Sequence, residues 1–512
     1  MREKMKKIKL EYWIMAFFIL QPFIDIYKTF FADTISVCGF ALEEIINIMF
    51  VAVIFIMVVI KMIKEKLKFK QWIGYIIYCI ILGIYLILHC LNTIKFNGQV
   101  YELANTNFIS EAYSVVRLYI MPLLLAFAIY NSNINSKQFR RMIGIVVLTF
   151  SSIIIITNIL KISFISYSKD YSFIKGNIFS WFGIDSIENI TTYTSRGWFN
   201  LANEIGALLF AMAPIMISYA IKENKIKNYI LVFLQALAML MLGTKIAALG
   251  IILVLVVMIF STLFLFIVKL DRRIKLYISI PSLILIMLIG MIFYSVSPTK
   301  RKNSSEKKDR IQLANNVLTD EEKQKNLGEI EKFKGDGDND FEIYVRDNMK
   351  EHYLSEEYLQ IYPVNNDKDF WMEIMCRDII LNVDNRNFKI EMVNRIIENN
   401  SNSLDKFLGI GFTTNVPYTE RDYYYQYFIY GAVGALLLIG PYILLTIYAG
   451  IKTLMKNKKY FNIETTGLIV ALGCYFGTAY YAGHVFGKLI NMYFMALYIA
   501  MLLKTVNDKM KE

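Results

Sequence analysis

Apolar residues in this chain come in runs of about twenty, and a run of that length is what an α-helix needs to cross the hydrocarbon core of a bilayer. Twelve such runs stand at roughly 12–31, 41–60, 71–91, 113–130, 142–160, 200–221, 228–243, 246–268, 274–296, 424–451, 463–480 and 485–503. The chain of 512 residues is 56% hydrophobic and only 19% charged, too little charge to cover a soluble protein of this size. The fold class expected is all-α: a polytopic helical membrane protein of about 12 transmembrane helices. The first run is long and lacks a small-residue cleavage site, so it reads as a retained span rather than a signal peptide.

The net charge of +12 does not point to nucleic acid, because the basic residues cluster in short segments between apolar runs. The N-terminal MREKMKKIK, residues 61–70, 137–141, 222–227, 269–275, 452–460 and the C-terminal KTVNDKMKE all fall on one side if the twelve spans are real. The other side's short loops hold Lys95, Lys169, Lys175, Arg196 and Lys245. By the positive-inside rule this places both termini in the cytoplasm. The five cysteines are scattered with no CxxC spacing, so neither a disulfide framework nor a metal site is expected. No cofactor is expected either.

Residues 297–423 break from this pattern. They are polar and long, and a polar stretch of that length is more than a connection. They read as a mostly helical extracytoplasmic lobe between helices 9 and 10. The membrane domain then comprises 1–296 (helices 1–9) and 424–512 (helices 10–12). TDEEK predicts a capping box with Thr319 and Glu322, and Ile379, Phe388, Met392, Ile396 and Ile397 predict amphipathic helices around 368–380 and 385–399. GDGDNDFE (335–342) alternates acids like a calcium loop but lacks the sixth-position glycine and terminal glutamate; it is not read as a metal site.

Several polar residues stand where charge is costly. Arg196 precedes a helix expected to start near Phe199 or Asn200, and a guanidinium beside free helix N–H groups suits a phosphate; a plain interfacial arginine is the other reading. Asn203 and Glu204 follow, and Glu204 is placed to anchor Arg196 or Lys245. Lys245, in the turn LGTK, is either a snorkelling lysine or a second cation on Arg196's face. Glu420 and Asp422 sit where a polar segment meets an apolar run. There a half-shielded carboxylate with a raised pKa acts as a general base, or the two are solvated loop acids. His484, in YAGHVFG, is a satisfied polar residue or a second proton-handling group. Asp25 follows Pro22 in the first run, Glu43 and Glu44 open the second, and Arg117 lies in the fourth; these acids and Arg117 are candidates to pair.

SRGWFNLANEIGALLF, LGTKIAALG, DNRNFKIEMVNRI, and LGIGF followed by TERDYYYQYFIYGAVG resemble stretches of the bacterial O-antigen ligase-like membrane proteins, which include repeat-unit polymerases and lipid-linked glycan ligases. On that resemblance Arg196 and Asn203 match an arginine–asparagine stretch opening a middle span. Lys245 stands where arginine is common, and Arg386 matches an arginine of the outer lobe. Where the ligases carry a histidine near the lobe's return to the membrane, this chain has Glu420, as in a subgroup with an acidic pair there. The resemblance implies metal-independent, inverting glycosyl transfer on the outer face of the cytoplasmic membrane. The donor would be an undecaprenyl-pyrophosphate-linked oligosaccharide, and the other partners a glycan acceptor and a chain-length regulator. Arg196, Lys245 and Arg386 would hold the pyrophosphate, Glu420 would be the base with His484 second, and Asn203, Glu204, Asp422 and Arg117 would support them. A polymerase is favoured over a ligase because the ligase-type histidine is missing. A flippase or transporter, or a non-catalytic scaffold, are the alternatives of other classes; a transporter should place polar groups near mid-membrane in both halves.

Overall fold

The structure is a computed structural model describing residues 9–31, 36–37, 40–65, 73–98, 100, 108–168, 171–183, 190–315, 319, 321, 323–324, 327–328 and 338–509. Glu322 and residues 335–337 lie outside these, and with them the Thr319 capping box and most of the calcium-like loop. Regular structure among the described residues is helical apart from a two-residue antiparallel ladder, Ser36–Val37 against Phe40–Ala41, and two isolated bridges. Among the described residues ten helices are long and apolar enough to cross a membrane. The expected twelve is therefore not reached on length and composition. The other two runs are helices too, but Ile226–Met241 has only 16 residues, and Ile463–Tyr481 dilutes its apolar run with Glu464, threonines and terminal tyrosines. The chain is a multi-pass membrane protein, and it divides into two compact units.

The first unit comprises residues 1–71, 117–303 and 441–512. At its centre stands Ala202–Glu223, whose apolar window is wholly buried, followed by Leu489–Val506, mostly buried. A lipid-facing helix needs only one buried stripe, whereas this one is small-residue-rich all round, with Gly206, Ala207, Ala211, Ala213, Ser218 and Ala220. Small side chains let backbones approach closely. A Cβ added at Gly467 of the Ile463–Tyr481 helix would meet Ser218 and the Pro214 carbonyl at under 3 Å. One end of this unit is tied by ion pairs: Arg140 to Glu464 (3.1 Å) and Glu223 (3.4 Å), and Lys222 to Glu464. At the same end the buried Lys504 ammonium donates to the carbonyls of Ser132 (2.8 Å) and Ile134 (3.0 Å).

The second unit comprises residues 72–116 and 304–440. Its polar portion packs an aromatic core of Tyr358, Phe370, Trp371 and Phe388 with Met392 and Ile396. The two amphipathic helices expected there are Lys368–Cys376 and Asn385–Asn400. The first ends four residues early, and Ile379 falls on a separate half-buried turn. Asp367 is the hub. It caps Lys368–Cys376 through the Phe370 N–H (2.9 Å) and accepts from Arg395 Nε (2.7 Å), Asn399 (2.8 Å) and the Tyr362 hydroxyl (2.8 Å). Burial alone would raise its pKa, but these donors outweigh it and hold the carboxyl at about 2. A depressed folded-state pKa contributes stability above the unfolded value and loses it as pH falls through the folded one. The thermal stability of this unit should therefore fall as pH drops from about 4 towards 2. Asp367→Asn should cost about 2 kcal/mol at neutral pH and flatten that acid dependence.

The second unit also contains a deliberate break. Gly431 (φ +68°) interrupts the helix Asp422–Leu438. The carbonyls it frees are all taken: Phe428 accepts from Ile410 N (3.0 Å), Ile429 from Gly411 N (2.9 Å), and Tyr430 from the Tyr85 hydroxyl (2.7 Å). Irregular backbone inside an apolar helix is tolerated where protein groups satisfy it in this way.

Candidate active site

The residues before Ala202–Glu223 form an irregular loop that carries Arg196. Arg196 lies not at the helix N-terminus, as the sequence suggests, but six residues earlier in a loop held by an antiparallel bridge between Ile165 and Ser195. The Arg196 N–H donates to the Phe164 carbonyl (3.0 Å), and Ser163 Oγ accepts from the Gly197 N–H (2.8 Å). The LGTK turn packs on the same loop: the Ser195 N–H donates to the Met241 carbonyl (2.8 Å), and a Cβ at Gly243 (φ +71°) would overlap Thr194. Thr244 caps the next helix through the Ala247 N–H (3.2 Å), so Lys245 opens Lys245–Ile267 beside the Arg196 loop.

The Arg196 side chain is only 4% exposed. Its guanidinium lies over the rings of Tyr171 (5.4 Å) and Phe164 (5.8 Å). Among the described residues no carboxylate forms an ion pair with it, and its Nε has no hydrogen-bond partner. Burial lowers its pKa from the usual arginine value, with Tyr171 and Asp25 pulling the other way. Two cation–π contacts, each about 0.5–2 kcal/mol, do not replace the hydration of a buried cation, which is worth several kcal/mol. The Arg196 guanidinium is therefore a buried cation only partly compensated by the described residues.

Asn203 and Glu204 do not hold Arg196. Asn203 Nδ2 meets His484 Nε2 at 3.3 Å. His484 is itself in the left-handed region (φ +65°), and its carbonyl accepts from Asn491 Nδ2 (2.8 Å). Glu204 instead lines a cavity with Asp25, Glu43, Glu44, Arg117 and Lys488. The Asp25 carboxylate accepts from the Asn200 N–H (3.0 Å), so an amide offered to a phosphate in the sequence reading is already used. Arg117 pairs with Glu44 across two helices. The rings of Phe164 and Tyr171, which the sequence reading missed, are the true supports of Arg196.

In the second unit Glu420 (φ +57°) is an ion-paired carboxylate. Lys389 Nζ donates to it at 2.8 Å and Arg386 Nε at 3.2 Å. Burial would raise its pKa, but Lys389 and then Arg386 outweigh that and lower it. The expected raised pKa is thus reversed, because both cations project from the helix Asn385–Asn400. Asp422 is fully buried and accepts from the Tyr418 hydroxyl (2.8 Å).

A further buried pair in this unit carried no sequence signal. His89 Nδ1 meets the Leu408 carbonyl (2.7 Å), so that nitrogen carries a proton, and His89 Nε2 meets Glu111 (3.2 Å). Glu111 also accepts from the Thr413 N–H (2.6 Å) and hydroxyl (2.7 Å). Among the described residues no group of three or more His, Cys, Asp or Glu is gathered to hold a metal ion.

A family model described as O-antigen ligase like membrane protein matches residues 7–509. The chain belongs to this family. Searches of curated proteins and of solved structures returned no match. Members of the O-antigen ligase-like family are membrane glycan-processing enzymes. Of the residues on which the resemblance rests, Arg196, Asn203 and Lys245 belong to the first unit and Arg386 and Glu420 to the second.

Proposed function

We propose that this protein polymerises undecaprenyl-pyrophosphate-linked oligosaccharide repeat units on the outer face of the cytoplasmic membrane. The termini are taken as cytoplasmic and residues 297–423 as extracytoplasmic. The observation that carries the reading is Arg196: a buried guanidinium without a carboxylate partner among the described residues, at an end of the helices where a lipid pyrophosphate would lie. In the reaction the acceptor's hydroxyl oxygen attacks the anomeric carbon of the donor sugar from the face opposite the pyrophosphate. The carbon–oxygen bond to pyrophosphate breaks, and its electron pair leaves with the phosphate oxygen. Arg196, with Lys245 beside it, stabilises that charge where water is excluded. No metal ion is required for this route.

The acceptor's proton goes to a base. His484 is the better candidate in this conformation, because the Glu420 carboxylate is engaged by two cations. Asn203 positions the His484 ring. His484→Gln should lower kcat/KM by about a hundredfold. It should also remove the acidic limb of the pH–rate profile, which a purely structural histidine would leave in place.

Purified protein in nanodiscs, given the host's lipid-linked oligosaccharide, tests the reading through undecaprenyl pyrophosphate release. A ladder of longer lipid-linked glycans supports a polymerase. Transfer to one separate acceptor would instead make it a ligase; Glu420 standing where ligases carry histidine favours the ladder. No release, with labelled lipid crossing liposome bilayers, would replace the enzyme with a flippase.

A further inference from the structure

The cavity of about 160 Å³ in the first unit is not the place for pyrophosphate. Its wall carries Glu43, 5% exposed, whose Oε2 is buried without a hydrogen-bond partner among the described residues. It also carries Glu204, 7% exposed, with no hydrogen bond or ion pair to its carboxylate among the described residues. Asp25 lines the same space within electrostatic reach of Glu204. Carboxylate oxygens are pure acceptors, and burying one without a donor, as at Glu43 Oε2, costs several kcal/mol. A phosphate, also an acceptor, would worsen that deficit. The ligand must therefore bring hydrogen-bond donors.

A bare cation would satisfy the acids, but the wall has a second character. Lys28 and Lys488 also line it, and Asn47 accepts from Gln21 Nε2 (2.9 Å) at its edge. Lysines in the wall call for acceptors on the same ligand. A group that donates and accepts around its whole rim is a hydroxylated ring. The volume falls below the 300–1,000 Å³ of pockets for larger ligands and leaves room for one ring.

We infer that the cavity lined by Asp25, Glu43 and Glu204 is a subsite for a single hydroxylated sugar ring of the lipid-linked glycan. The inference rests on the proposed glycan transfer. Asp25 ties the subsite to the anion site: its carboxylate takes the Asn200 N–H, four residues after Arg196, and Arg196 is within its electrostatic reach. A ring in the cavity would thus sit beside a phosphate on Arg196.

The test is thermal stabilisation of the full chain in detergent by galactose, N-acetylgalactosamine, glucosamine and inorganic pyrophosphate, each titrated separately. Neutral sugars should stabilise the wild type. Glu43→Gln and Glu204→Gln, which keep size but turn an acceptor into a donor, should each weaken that response at least about tenfold. Both variants should keep the pyrophosphate response, which also reports that they fold; Arg196→Ala should lose it. Neutral sugars with no effect on the wild type, or with equal effect on all variants, would overturn the subsite. Stabilisation by glucosamine alone would overturn it in favour of an ammonium site. Loss of the pyrophosphate response in the wild type would strike the donor reading instead, so the two failures are separable.

Discussion

Arg196→Ala is expected to reduce undecaprenyl pyrophosphate release by about a thousandfold, with the protein still folded. The size follows from the site. Removing one preorganised donor to developing charge in a water-excluded place costs about 10²–10³ in rate, and no carboxylate among the described residues forms an ion pair with Arg196. Arg196→Lys should recover little. Lysine keeps the charge but loses the planar fork that binds two phosphate oxygens, and its compact ammonium stacks poorly over Phe164 and Tyr171. Tyr171→Leu provides the graded control, because it removes one ring and leaves the arginine. A full rate with Arg196→Ala in the release assay would remove the centre from this account.

Gly431→Ala is expected to abolish folding of the second unit rather than tune it. At φ +68° an L-residue is strained, and a Cβ there would overlap the Phe407 backbone and the Gly409 amide. Neither can step aside. The same segment supplies the Ile410 and Gly411 N–H groups that satisfy the opened helix, and Asn92 Nδ2 holds it through Asp405 (2.8 Å) and the Gly409 carbonyl (2.9 Å). The loss combines backbone strain, overlap and unmade buried hydrogen bonds, about 4 kcal/mol or more. Monodispersity in detergent and the melting temperature measure it. Gly434→Ala is a useful comparison: at a helical φ its Cβ would meet side-chain atoms, the hydroxyl end of Tyr85 and the Tyr430 Cβ (2.7 Å), rather than backbone, and should be milder. A Gly431→Ala protein that melts like the wild type would show that the break is not required.

What was legible in the sequence follows from how local each signal is. Span positions came from runs of like residues, and each run is helical over most of its described residues, the 424–451 run as two helices, Asp422–Leu438 and Gly440–Met455. The Asn385–Asn400 helix announced itself through Phe388, Met392, Ile396 and Ile397, all buried. Arg117 and Glu44 drew attention as charges inside apolar runs, and they pair. Pairings set by packing alone were hidden. Nothing in the sequence brings Asn203 to His484, 281 residues on, or marks Phe164 and Tyr171 as more than loop aromatics. Nor does it say that Glu420 will meet Lys389, since a cation 31 residues away is found only when a helix turns it inward. His89 and Glu111 meet only because two helices bring them together.

The buried helix Ala202–Glu223 sets the order in which this protein can be completed. Its closest-packed neighbour, Ile463–Tyr481, is synthesised about 240 residues after it ends, and Leu489–Val506, which donates from Asn491 to the Glu204 carbonyl (3.2 Å), comes later still. Until then a helix bearing Asn203 and Glu204 must wait with unpartnered polar surface in or beside lipid, where such groups are expensive. Nascent chains that stop before Ile463 should therefore be retained by insertion factors or cleared by membrane proteases. The two helices Ile463–Tyr481 and Leu489–Val506 thus decide whether the part of the protein made before them survives.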